Sequence, residues 1–206
     1  MRRPTLDLLE AIRTTRAMRR LDPSRDVLDA DISLMIDAAG AAPSGGDRRP
    51  LQWIVVRDRD VRTALGAIYR RVSGQIDQDA GQQPTRVERS IAHLAEHMGE
   101  APVLMVGVAG GEPDLRQAAS IYPAVQNLML AARSLGLGTT LTMRHRLAED
   151  EVRALLAIPA PVHVYCVIPV GHPLGRWAPR RDTRGPTIYR DRFGVTERSP
   201  GKIPRP

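Results

Sequence analysis

Aromatic side chains are scarce: two Trp, four Tyr and one Phe among 206 residues. So few rings exclude the exposed stacking ladder that single-stranded nucleic acid requires. The one cysteine, Cys166, can close no internal disulfide and cannot supply a zinc site alone. No apolar run approaches the roughly 18 residues of a membrane-spanning helix, and the opening Met1-Arg2-Arg3-Pro4 carries no secretory apolar core. The expected setting is the cytoplasm, with no membrane partner. No Gly-x-Gly-x-x-Gly follows a strand, and no glycine-rich loop ends in Lys and Ser or Thr. Rossmann and P-loop readings therefore lack their anchor. Ser44, in Pro43-Ser44-Gly45-Gly46, follows no strand directly and so is no nucleophile elbow.

What is present describes a folded chain. Apolar residues make up 42% and charged residues 26%, which excludes a mostly disordered polypeptide. The net charge of +7 is concentrated at one end. Residues 176–206 hold nine basic and three acidic side chains, whereas residues 1–175 hold 21 and 20. A nearly neutral body is no general polyanion binder, although a basic arm could dock on an acidic surface. Lys202 is the only lysine beside 29 arginines, a bias so uniform that it reads as genome composition. The chain divides into a body, 1–175, and a basic arm, 176–206, whose Pro, Gly and Arg show no core periodicity.

Periodicity gives the elements. A short amphipathic helix runs from about Thr5 into a basic cluster, and a second opens near Asp26 with Ile32, Met35, Ile36 and Ala39 on its core face. Strands are expected at 52–56, 102–108, 139–142 and 162–170, and helices at 61–71, 85–100, 120–135 and 150–156. Residues 73–84 read as a surface loop. Strands and helices interleave around a central sheet, an α/β or α+β arrangement.

Three constellations bear chemistry. His93-Leu94-Ala95-Glu96-His97 has the spacing of an inverted zinc peptidase helix, but no convincing third ligand accompanies it, Glu100 being the nearest choice. The plainer reading is a solvated helix, with no metal. Cys166, mid-strand in apolar company, reads as inert packing. The cluster Arg13-Thr14-Thr15-Arg16-Ala17-Met18-Arg19-Arg20 sets four guanidiniums within eight residues, a repulsion that an anion would relieve.

That cluster is followed by a helix ending Ala41-Ala42-Pro43-Ser44-Gly45-Gly46, a strand Trp53-Ile54-Val55-Val56, the run Ala124-Val125-Gln126-Asn127-Leu128-Met129-Leu130-Ala131-Ala132-Arg133-Ser134-Leu135-Gly136-Leu137-Gly138, and Ile168-Pro169-Val170-Gly171-His172-Pro173. In this order, from about Leu6 to Gly194, the chain resembles the nitroreductase family of FMN-dependent oxidoreductases. The resemblance implies an α+β fold with a central mixed sheet flanked by helices. It also implies a homodimer with FMN at each subunit interface, embraced by the C-terminal arm 176–206.

The family's phosphate motif, Arg-Arg-Ser-x-Arg, matches Thr15-Arg16-Ala17-Met18-Arg19. By that match Arg16 and Arg19 hold the phosphate, while Ala17 stands in place of a serine and Thr15 in place of an arginine. Arg20 or Arg13 compensates, and Arg184 is a second clamp from the arm. The flavin loop Pro-Ser-Gly-x-Asn-x-Gln-Pro matches residues 43–50. Pro43 and Ser44 then lie near the flavin ring and ribityl chain, and Asp47 stands where an asparagine reaches the cofactor. Arg49 replaces a glutamine, so Asp47 and Arg49 are expected to pair. Gln126 faces the cofactor region, and Leu141, Thr142 and Met143 lie beside the isoalloxazine ring. The implied chemistry is ping-pong hydride transfer from NAD(P)H through FMN to a nitroaromatic, quinone or similar small acceptor, with no protein acid or base nominated. Few aromatics and many arginines point to an anionic or polar acceptor. Two alternatives stand beside it: a non-catalytic or cofactor-poor flavin-binding relative that sequesters or regulates, and a basic module for nucleic acid or an acidic partner.

Overall fold

The unbroken apolar run at 103–110 becomes β2 (Val103–Gly110), an interior strand whose first seven residues are buried. It has no alternation of polar and apolar residues because helices cover both faces of the sheet. The computed structural model describes residues 6–76, 85–177 and 187–194. Strands β1 (Gln52–Val56), β3 (Gly138–Thr139) and β4 (Val162–Gly171) complete a sheet of order β1-β2-β4-β3. Every named pair is antiparallel. Among the described residues the expected mixed character survives only in an isolated parallel bridge between Ala17 and Thr139. The register slips at Gly107, opposite Cys166, where a Cβ would lie 2.8 Å from the Cys166 sulfur. Glycine there lets three packed strands close up.

On one face, Val103, Met105, Ile168 and Val170 pack against α2 (Asp29–Gly40) and α5 (Leu115–Ser134), through Ile32, Met35, Ile121, Val125 and Leu128. On the other, Leu104, Val106 and Val167 meet Leu65, Tyr69, Leu94 and Val152 of α3 (Arg59–Ile76), α4 (Arg86–His97) and α6 (Glu149–Leu155). Helix α3 lies so close to the turn after α4 that a Cβ on Gly66 would fall 2.7 Å from the Gly99 nitrogen. Helix α4 starts with a capping box, Thr85 and Glu88 each bonding the other's backbone N–H.

Two helices exceed their expected spans. Helix α3 continues through Val72 and Ser73, both buried, so the loop expected from residue 73 begins no earlier than 77. Helix α5 starts at Leu115, where Asp114 caps it by accepting from the Gln117 N–H at 2.6 Å. Its first turns carry no apolar stripe, and Pro123 inside it has no N–H to give. The strand expected over 139–142 is shorter, with Thr142 rejoining the sheet through a bridge to Val167.

Residues 16–22 follow α1 (Leu8–Thr14) and run along the β3 edge of the sheet. Met18 N–H donates to the Thr139 carbonyl at 2.9 Å, Thr140 Oγ1 to the Met18 carbonyl at 2.8 Å, and Leu174 N–H to the Arg20 carbonyl at 3.0 Å. The basic cluster is thereby fixed on rigid structure.

Candidate functional site

The nominated residues fall in three places. The first is the basic edge segment. Arg16 Nη1 donates to the carbonyls of Arg13 and Thr15, at 3.0 and 2.7 Å. Ala17 is exposed beside its bridge to Thr139, and Arg20 is exposed too. Arg19 is half-buried and lines a cavity of about 180 Å³ with Leu21, His93, His97, Glu100 and Leu174. Burial lowers the pKa of Arg19, and nearby Tyr69 opposes that shift. No hydrogen bond or ion pair to Arg19 is present among the described residues. His93 is held below its usual pKa by burial, then by Arg20 and His97. The two imidazoles lie 4.3 Å apart, and His97 Nδ1 reaches Glu100 at 3.0 Å. Among the described residues no group of three or more His, Cys, Asp or Glu is arranged to hold a metal.

Arg133, at the C-terminal end of α5, joins this edge. Its Nη2 donates to Thr14 Oγ1 at 3.1 Å, and its guanidinium lies 4.1 Å from the Trp177 ring centroid. Its Nε is buried with no hydrogen-bond partner among the described residues. Arg133 stands in the Ala-Ala-Arg-Ser-Leu-Gly run that carries the resemblance, but nothing in the sequence ties it to Thr14. Arg184 lies outside the described residues, so only Arg176, Trp177 and residues 187–194 of the arm can be described.

The second place is the 139–143 segment. Thr142 is buried, its Oγ1 donates to the Val167 carbonyl at 2.8 Å, and its backbone exchanges both bonds with Val167. It anchors the segment, so among Leu141, Thr142 and Met143 only the first and last turn side chains outward, at 38% and 41% exposure. Tyr122 donates to the Met143 sulfur at 3.5 Å. Gln126, on α5, is exposed.

The third place is the loop 43–50. Gly46, Asp47 and Arg49 have φ of 64°, 54° and 44°, a left-handed cluster that costs energy at the two non-glycine residues. The loop is pinned against that cost. Ser44 Oγ accepts from Arg49 N–H at 3.1 Å, and the Asp47 carboxylate pairs with Arg49 Nε at 2.9 Å, as the sequence suggested. Gly45 N–H donates to Ser120 Oγ at 3.0 Å, fastening the loop to α5; no sequence signal marked Ser120. Pro43 and Asp47 are exposed.

These places do not converge within one chain. The loop is tied to Ser120, the basic segment to Arg133, and thirteen helical residues at 1.5 Å each separate those ties by about 20 Å. The 141–143 segment meets α5 at Tyr122, about 200° around the helix from Ser120. One long helix therefore holds the loop at the opposite end from the basic segment and on a different side from the 141–143 segment.

Comparison with known proteins gives a consistent answer. The model of the nitroreductase family matches residues 12–172. A protein of Methanothermobacter thermautotrophicus named "Putative NADH dehydrogenase/NAD(P)H nitroreductase" is 34% identical over 82% of this chain and 78% of its own. A solved structure of the same name from Bacteroides thetaiotaomicron superposes with a TM-score of 0.70 at 24% identity, covering 90% of this chain and 98% of that one. Iodotyrosine deiodinase, solved with FMN and 3-iodo-L-tyrosine bound, shares the fold at a TM-score of 0.73 and 20% identity, over 90% and 99% of the two chains. The chain belongs to the nitroreductase family of oxidoreductases.

Proposed function

We propose that this protein is an FMN-dependent NAD(P)H oxidoreductase acting as a homodimer, with each flavin held by the basic edge of one chain and the 43–50 loop of the other. The observation that carries the reading is the separation of that loop from the basic edge. Two halves of one cofactor site sit about 20 Å apart along α5, a gap that a second, two-fold-related copy can close. The exposed apolar residues Leu8, Leu9 and Ile12 of α1, and Tyr189 and Phe193 of the arm, are surfaces that such a copy would cover.

The residues present suit a flavin mononucleotide. Among the described residues, half-buried Arg19 has no acid partner and the buried Nε of Arg133 has no acceptor. Both lie at an edge with three further guanidiniums, Arg13, Arg16 and Arg20. An anionic group there would offset the cost of burying positive charge. Arg16 and Arg19 would hold the phosphate, with Arg20 nearby. Leu141 and Met143 would give the ring an apolar wall, fixed in position by Thr142. Pro43, Ser44 and Asp47 would approach from the partner copy. Asp47, already paired with Arg49, brings little net charge. When bound, FMN supplies the hydride relay, taking electrons from NAD(P)H and yielding them to a small acceptor in the same pocket in ping-pong order. The protein's share is to bind, orient and exclude water; no side chain is required as acid or base.

The test is direct. Purified protein should be yellow or take up added FMN, lose its colour anaerobically with NADH or NADPH, and sediment as a dimer. A colourless protein that refuses FMN would overturn the reading in favour of a cofactor-poor relative.

A further inference from the structure

The strained loop opens onto a cavity of about 390 Å³ that it shares with the turn between β2 and α5. Its lining includes Gly45, Gly46, Arg48, Glu112, Asp114 and Arg116. The charges in it are unequally engaged. The Asp114 carboxylate caps α5 at 2.6 Å from the Gln117 nitrogen. Arg48 and Arg116, one from each wall, are in no hydrogen bond or ion pair among the described residues, and neither is Glu112. Arg48 extends over Gly46, where a Cβ would meet the Arg48 Nε at 3.7 Å, an ordinary contact distance. A loop holding three left-handed residues and pinned by Ser44, Ser120 and the Asp47–Arg49 pair is a rigid mount for it.

We propose that Arg48 and Arg116 form an anion-recognition edge of the acceptor site, selecting small aromatic acceptors that carry a carboxylate. The proposal rests on reading the 43–50 loop as cofactor-facing and adds the substrate class to it. A planar guanidinium matches a carboxylate with two parallel hydrogen bonds. Two of them, one from the loop and one from α5, would fix both position and orientation. Glu112 opposes the ligand, so it limits affinity for anions. Both guanidiniums are exposed, so the selectivity should weaken as salt rises.

The test compares para-nitrobenzoate with neutral para-nitrobenzamide on flavin-loaded protein, read as the ratio of their kcat/KM values. R48Q and R116Q should each lower that ratio about fivefold, chiefly through KM of the carboxylate, and E112Q should raise it. A ratio unchanged in R48Q, R116Q and the double variant overturns the proposal, and because it is a ratio, partial misfolding does not mimic selectivity. Calorimetric titration of the purified protein with benzoate reads the same contacts without turnover or flavin. Binding that is weaker in R48Q/R116Q supports the subsite even if FMN is refused, which would separate its fate from that of the cofactor reading. Benzoate that binds both proteins equally, or neither, removes the subsite.

Discussion

Acid should destabilise this fold through one imidazole. His145 is 1% exposed, stacked 5.1 Å from the Tyr69 ring, with Nε2 on the Leu65 carbonyl at 3.2 Å and Nδ1 buried without a partner among the described residues. Burial pushes its pKa down from 6.5 to about 4, against a smaller opposing effect of the Leu65 bond. The folded state therefore resists protonation that the unfolded chain accepts below pH 6.5. Stability tied to this group is complete above that value and is lost as the pH falls toward 4. Linkage puts the loss at about 2 kcal/mol between pH 7 and pH 5, and about 3 kcal/mol by pH 4. The assay is urea unfolding at fixed protein and FMN concentration, at pH 7 and pH 5, for the wild type and H145F. Phenylalanine keeps a ring against Tyr69 but cannot titrate. It should lower stability at pH 7, because the bond between the imidazole and the Leu65 carbonyl is lost, yet flatten the pH dependence by about 2 kcal/mol. Equal pH slopes for the two proteins would refute the reasoning.

Other consequences are simpler to check. G66A should cost about 2–3 kcal/mol in denaturant unfolding, since its Cβ meets the Gly99 backbone at 2.7 Å and one of two elements must move; a loss under about 0.5 kcal/mol would contradict that packing. The Cys166 thiol, pushed up to about 12 by burial, should be inert to thiol reagents at pH 8 in the native protein and react fully once urea unfolds it. D47N should tighten FMN binding a few-fold in fluorescence titration, because an amide adds a donor that a carboxylate lacks. Its effect on stability should stay below about 1 kcal/mol, the Asp47–Arg49 pair being exposed on both sides.

The strands β2 and β4 were legible because a strand buried on both faces must be largely apolar: the run at 102–108 is so throughout, and that at 162–170 carries one polar residue, His163, near its half-buried start. Helix ends were less so. Helix α5 begins with Leu115, 85% exposed, and takes its start from the Asp114 cap rather than from apolar spacing. Helix α3 passes through Ser73 because the core buries Val72 and Ser73, which a local reading of Ser and Gly cannot foresee. The pairing of Asp47 with Arg49 could be read from opposite charges two residues apart. That the 43–50 loop and the basic segment hold opposite ends of α5 could not, since only tertiary contacts such as Gly45–Ser120 and Thr14–Arg133 decide it. Arg19 shows the same limit. Local sequence groups it with Arg16, and only the placement of the edge segment shows that it also lines a cavity with His93 and His97, a histidine pair that spacing alone associated with metal.

Subunit complementation tests the shared cofactor site most directly. One chain carries R16Q/R19Q, the other replaces the Ser44–Asp47 loop with alanines, and differently tagged copies are co-expressed so that mixed dimers can be isolated. Each homodimer should lose both flavins. The mixed dimer should regain one FMN per two chains, because one of its interfaces joins an intact basic edge to an intact loop. Mixed dimers as empty as the two parents would contradict a site shared between copies and place each flavin within a single chain.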